Sequence, residues 1–254
     1  MARRQAPGLR VPFFLAPLER RSPRILRRRV RRLAPSADTS VDPSLARMRA
    51  GLDGALADYA ALAPGFDAGV IDSAEGAALY FLVRALGPAG VVETGTANGV
   101  STAYLLAALD RNGSGRLVSI DLPFEAEAGG RYRPLVAGTS IGLYDASPLP
   151  QGKAPGWLVP ERLRGRWELR LGDARTLLPA LLEELGEVGF FFHDSLHTRE
   201  HMLFEFEAVW PYLSPGGVLA ADDIFQRKHD ALPAFARSVG RPLTTFGNLG
   251  FVRK

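Results

Sequence analysis

Three stretches of this 254-residue chain carry residue types that do chemistry in combination. Val91-Val92-Glu93-Thr94-Gly95-Thr96-Ala97-Asn98-Gly99 is an apolar run ending in an acid and a glycine turn, and a helical pattern opens at Val100-Ser101-Thr102. Gly95 and Gly99 let a backbone turn sharply and approach a ligand closely. Some 20 residues on, Arg116–Ile120 reads as a second strand ending in Asp121, whose carboxylate could accept both hydroxyls of a ribose. Phe190-Phe191-Phe192-His193-Asp194-Ser195-Leu196-His197 is another apolar run that ends in polar groups. Val218–Ala221 ends likewise at Asp222-Asp223. If those two strands are neighbours in a parallel sheet, Asp194 and Asp222 lie side by side. Carboxylates so placed repel one another and favour a hard divalent cation such as Mg²⁺.

The elements that must position these groups are legible in the hydrophobic rhythm. Pro43–Leu62 and Ser73–Leu86 have helical spacing, the latter bounded by Asp72 or Ser73 as cap and Gly87-Pro88 as stop. Short apolar runs then alternate with helical patterns: Val91–Glu93, Thr102–Leu109, Arg116–Ile120, Trp167–Leu171, Arg175–Leu185, Val188–Phe192, Arg199–Tyr212, Gly217–Ala221 and His229–Val239. This alternation argues for a parallel sheet with crossover helices. Leu243–Phe246 and Gly250–Arg253, split by Gly247-Asn248, predict an antiparallel hairpin at the edge. The interval 122–166 is long, rich in Gly and Pro, and follows a strand's carboxyl end. It is either a substrate-covering lid bearing Tyr132, Tyr144 and Trp157 or a surface insertion.

Composition narrows the classes further. Hydrophobic residues at 46% and charged residues at 23% describe an ordinary globular chain. The absence of cysteine excludes disulfides, thiolate metal sites and cysteine nucleophiles. No apolar run approaches a membrane span and no secretory core is recognisable, so a cytoplasmic protein is expected. Residues 1–34 hold eleven arginines against the single acid Glu19, so this arm carries +10. With a net charge of +4, the remainder is acidic by six charges. Within the arm, Leu26, Val30 and Leu33 form one helical stripe. The arm reads either as a solubilising or partner-packed extension or as a surface for phosphates or anionic membrane. It could also reach a second subunit. The acidic body argues against a broad nucleic-acid face. Residues 1–42 are therefore taken as arm and linker, and 43–254 as the functional domain.

A nicotinamide-binding protein would share this geometry, but the G-x-G-x-x-G fingerprint is missing, and Glu93 would repel a pyrophosphate. An acid there suits a cofactor with an ammonium group and no phosphate. On Glu93 to Gly99, Asp121 and Gly172-Asp173-Ala174, the chain resembles the class I S-adenosylmethionine-dependent methyltransferases, departing at Ala97, where many members carry glycine. The resemblance implies a Rossmann-like, doubly wound α/β sheet, mostly parallel with an antiparallel C-terminal edge hairpin, plus N-terminal helices. It also implies that Glu93, Gly95, Thr96, Ala97, Gly99, Ser101, Asp121 and Asp173 bind S-adenosyl-L-methionine. The acids at the later strand ends are similar to those of metal-dependent O-methyltransferases acting on small molecules and sugars. That likeness implies metal ligation by Asp194, Asp222 and Asp223, and His197 as base with Asp194 beside it at a small-molecule hydroxyl. His193 and His201 are rivals for the base. A metal-independent methyltransferase using Asp194 or His197 directly stays open, as does a non-catalytic protein binding RNA or membrane through its arm.

Overall fold

In the computed structural model the described residues are 22–40, 42–62, 71–127, 131–137, 149–225 and 230–254; for 59–62, 126, 127, 131 and 132 only the backbone is described. Among the described residues three helices come first: α1 (Pro23–Leu33), α2 (Pro43–Leu62) and α3 (Ser73–Leu86). The alternating body follows as β1 (Gly90–Thr94), α4 (Val100–Asn112), β2 (Arg116–Asp121), β3 (Phe124–Glu127) and β4 (Arg131–Pro134). It continues with β5 (Trp167–Leu171), α5 (Ala174–Leu185), β6 (Val188–His193), α6 (Arg199–Val209), β7 (Leu213–Ala221) and α7 (Ala231–Ser238). The hairpin β8 (Leu243–Phe246) and β9 (Leu249–Arg253) closes the chain.

Among the described residues, seven strands form one sheet in the order β5-β2-β1-β6-β7-β9-β8. β5, β2, β1, β6 and β7 run parallel, and β9 and β8 are antiparallel at the edge. Successive residues of one strand serve opposite faces. Val91, Phe190, Phe192, Val218 and Ala220 join the core under α1–α4, while Val92, Phe191, Leu219 and Ala221 join the core under α5–α7. A strand buried on both faces cannot alternate apolar with polar residues, which is why these strands read as continuous apolar runs. The expected doubly wound α/β sheet with its antiparallel edge is what the chain forms.

The interval 122–166 is not one open loop. β3 and β4 make a small antiparallel sheet in which Glu125 pairs with Arg133. Residues 149–160 pack back on the domain, and a short 3₁₀ segment, Glu161–Arg166, leads into β5. Tyr144 lies outside the described residues. So does the apolar stretch Val11–Leu18. The stripe of α1 is packed rather than free: Leu26, Val30 and Leu33 are buried in contact with α3 and β8.

Glu75 ties the first half of the chain to the last. It completes a capping box at the start of α3, its carboxylate accepting the Asp72 N–H at 3.1 Å. The same carboxylate accepts the Asn248 N–H at 2.7 Å, which pins the β8–β9 turn against α3. It is 3% exposed, so removing it leaves a buried amide without an acceptor. Glu75→Ala is expected to cost about 2–3 kcal/mol, measured as a lowered unfolding midpoint in urea.

Candidate functional site

Glu93 closes β1 and is completely buried. Its carboxylate accepts hydrogen bonds from Ser101 Oγ at 2.8 Å and Thr102 Oγ1 at 2.7 Å, both in the first turn of α4, and from Ser119 Oγ of β2 at 2.7 Å. Trp167 Nε1 donates in turn to Ser119 Oγ at 2.9 Å. Burial, outweighing the bonds from Ser119, Thr102 and Ser101, pushes Glu93 up to about 7. Glu93 and Ser101 therefore sit beneath the glycine turn and bond to each other. They brace the site from below.

The turn above is built from left-handed backbone. Gly95 has φ 86°, and a side-chain carbon there would overlap the carbonyl of Asp194. Gly99 has φ 89°, and a side-chain carbon would come 2.7 Å from Gly156 Cα. Ala97, where the expected motif carries glycine, also adopts positive φ, at 41°. The turn keeps the left-handed conformation despite the Cβ. Trp157 Nε1 donates to Asn98 Oδ1 at 2.6 Å, while Gly156 and Leu158 donate backbone N–H groups to the carbonyls of Ala97 and Asn98. Part of the 122–166 interval thus clamps the turn from outside. Among the described residues no side chain caps α4, and a helix N-terminus of this kind favours a carboxylate ligand.

Asp121 ends the neighbouring strand and faces this turn. Its Oδ1 accepts the Thr96 N–H at 3.2 Å. Its Oδ2 is buried and has no hydrogen-bond partner among the described residues. Burial, outweighing the backbone bonds of Thr96, Ala97 and Leu122, pushes the carboxyl up to about 6. An orphaned buried acceptor beside a glycine turn fits a ribose diol, so these residues suit an adenosyl cofactor. Thr96 Oγ1 is a second orphan at the same turn. Asp173 lies one strand further out and is exposed; its carboxylate accepts the Arg175 N–H at 2.8 Å and caps α5.

The acidic edge lies on the other side of β1. Asp194 follows β6, its N–H bonded to the Thr94 carbonyl at 2.8 Å, and Asp222 follows the adjacent β7, its N–H bonded to the His193 carbonyl at 2.9 Å. Asp223 occupies left-handed backbone at φ 54°, a strained choice for a non-glycine residue at a strand end. Asp194 is raised well above the usual carboxylate range, by burial first and then by the charges of Asp222, Asp223 and Glu93. Asp222 is raised by burial and by Asp223 and Glu75. Asp222 Oδ1 is buried with no hydrogen-bond partner among the described residues. The three acids therefore share an edge and feel one another's charge, as expected. Among the described residues, however, no three His, Asp or Glu side chains converge closely enough to hold one metal ion. Strand-end adjacency places the backbones together, but it does not aim the carboxylates at one point.

His197 is buried, with Nε2 3.8 Å from Asp194 Oδ1. Its ring stands edge-on to His193, centroids 5.1 Å apart. His193 and His201 both turn to an acid of α6 to which the sequence assigned no role. Glu205 of α6 is wholly buried and accepts bonds from Thr94 Oγ1 at 2.6 Å and Ser195 Oγ at 2.8 Å. It also pairs with His193 Nδ1 at 2.6 Å and His201 Nε2 at 2.8 Å. Burial raises its carboxyl, but the charge and hydrogen bond of His193 and the bonds of His201 outweigh this and hold it well below the usual range. His193 and His201 are thus engaged by Glu205, whereas His197 sits against Asp194. The signal for Glu205 was the i,i+4 spacing of His201 and Glu205.

A family model described as a methyltransferase domain matches residues 92–224. Among solved structures, the chain is similar to an O-methyltransferase from Bacillus cereus in complex with SAH. The two share 19% identity, with 81% of this chain and 91% of that one covered and a TM-score of 0.52. It is also similar to an SAH-bound methyltransferase from Podospora anserina at 13% identity, covering 89% and 94%, with a TM-score of 0.51. These likenesses are ones of fold. No match is found among curated proteins.

Two expectations follow from the turn and its brace. Because Glu93 titrates higher folded than unfolded, its contribution to stability is present below its ordinary pKa and is lost as pH rises through about 7. Glu93→Gln should therefore match the parent near pH 5 and exceed it near pH 8, by on the order of 2–3 kcal/mol at about 1.4 kcal/mol per unit. Thermal melts at the two pH values check this. Ala97→Gly should relieve the positive-φ strain and raise stability by about 0.5–1 kcal/mol, read as a small rise in melting temperature.

Proposed function

The chain belongs to the methyltransferase-domain family, and from that premise we propose that it moves a methyl group from S-adenosylmethionine to a hydroxyl of a small molecule, such as a sugar. The observation that carries this reading is the pairing of two sites across β1. On one side lies the adenosyl-fitted turn with the orphaned Asp121 Oδ2; on the other lies Asp194 with His197 3.8 Å away. A methyl donor held by Gly95 to Gly99 and Asp121 would present its reactive end toward Asp194. There the acceptor oxygen attacks the methyl carbon, the carbon–sulfur bond breaks, and the sulfonium becomes a neutral thioether. The acceptor's proton passes to His197 or to Asp194. Burial and the neighbouring acids raise the proton affinity of Asp194, which suits it to take or share that proton. Positioning the two reactants is itself a large part of such catalysis.

A divalent cation would relieve the repulsion among Asp194, Asp222 and Asp223, and these are the residues that would hold it. It would polarise the acceptor hydroxyl. Among the described residues no three of these ligands converge on one point. A metal-independent reaction is the reading this spacing favours.

Asp194→Asn should lower methyl transfer by about 10²-fold or more while leaving S-adenosylmethionine affinity within a few-fold. The measurements are transfer of a radiolabelled methyl group to a panel of hydroxylated acceptors and calorimetric cofactor titration. Unchanged transfer would remove Asp194 from the site. Turnover that persists in EDTA would assign the metal-independent reaction, and loss restored by Mg²⁺ would assign the metal to the acidic edge.

A further inference from the structure

Nothing in the methyl-transfer reading uses the outer face of α1. The inner face is occupied, since Leu26, Val30 and Leu33 are buried in contact with α3 and β8. The outer face is cationic: Arg24, Arg27, Arg28, Arg31 and Arg32 are all exposed, and the helix contains no acid. Among the described residues Arg24, Arg27, Arg28 and Arg32 make no ion pair, and Arg31 has Asp38 within electrostatic reach. Arg24 and Arg28, Arg27 and Arg31, and Arg28 and Arg32 stand one helical turn apart, the spacing at which like charges destabilise a helix. The arrangement persists because the apolar stripe and the Ser22 cap hold the helix in place. It is a row of exposed guanidinium groups, four of them without an ion pair among the described residues.

We propose that this face docks on an anionic membrane surface, its arginines engaging phosphate and carboxylate headgroups. The apolar stripe is already packed, so α1 cannot insert as an interfacial helix, and its own share of binding must be electrostatic. Two features favour a lipid surface over a nucleic acid. The chain beyond residue 34 is acidic by six charges, so a polyanion running past this helix of about 16 Å meets repulsion. A headgroup plane can instead touch α1 while most of the body lies beyond the screening length of about 8 Å. The sequence just before α1 also contains Val11, Phe13, Phe14, Leu15 and Leu18. An apolar stretch of sequence next to a polybasic one is the pairing that stable peripheral binding requires.

The test is co-sedimentation of the full-length protein with phosphatidylcholine vesicles, with or without about one-third phosphatidylserine. The expected result is binding to the anionic vesicles only, weakened by added salt. Replacing Arg24, Arg27, Arg28, Arg31 and Arg32 with alanine should lower partitioning by at least a hundredfold, at roughly fivefold per charge. These positions are exposed and alanine favours helix, so circular dichroism should show the fold retained. Replacing the same five with lysine should preserve binding. Equal binding to neutral vesicles, no binding to either, or binding that survives the alanine variant would each overturn the proposal. So would arginine-dependent binding to an RNA oligonucleotide without vesicle binding, which would assign the face to nucleic acid.

Discussion

One buried carboxylate organises the centre of this protein. Glu93 gathers hydroxyl groups from the first turn of α4 and from the middle of β2 around the end of β1. Those three contacts set where α4 begins relative to the sheet, and so set the path of Thr94 to Gly99 above it. The arrangement is costly, because burial pushes Glu93 up to about 7 despite the hydroxyls. A polar node of this kind, fully hydrogen-bonded, fixes geometry more than it adds stability. Asp121 faces the turn only because that turn is held at this height.

A second buried carboxylate does the same work on the other side of β1. Glu205 joins Thr94 at the end of β1, His193 and Ser195 at the end of β6, and His201 on α6. Unlike Glu93 it is held well below the usual carboxylate range, because His193 and His201 turn toward it. Glu93 braces the glycine turn and Glu205 braces the acidic edge. Gly95 brings the two regions together, since its lack of a side chain lets the turn lie against the carbonyl of Asp194. The cofactor-fitted face and the acid-rich edge are therefore mechanically one unit.

Much of this was legible in the sequence, and the failures have physical causes. Helix α3 was recognisable to the residue because Asp72 and Gly87 mark its ends chemically. The inner parallel strands β1, β6 and β7 showed as apolar runs because both faces of the sheet are covered there, whereas the half-exposed edge strand β5 alternates apolar with charged residues. The adjacency of Asp194 and Asp222 followed from strand order alone. Partners drawn from separate elements were not legible. Glu93 was visible as an acid at a strand end, but its three hydroxyl donors come from two elements, so its buried bracing position was not. Glu205 does not belong to the apolar stripe of its helix, and its contacts with the ends of β1 and β6 make it interior. The Gly- and Pro-rich composition of 122–166 concealed the β3–β4 pair and the clamp that Trp157 places on Asn98. The stripe of α1 could be read, but whether α3, a membrane or another subunit covered it depended on the folded chain.

The central claim is that the turn from Gly95 to Gly99, with Asp121 beside it, is an S-adenosylmethionine site. The most direct measurement is calorimetric titration of the full-length protein with S-adenosylmethionine, alongside Asp121→Ala. Saturable binding to the parent, weakened by about a hundredfold in the variant as a lost charged hydrogen-bond pair implies, is the predicted result. No binding to the folded parent at about millimolar cofactor, where affinity falls to roughly 4 kcal/mol, would contradict the account.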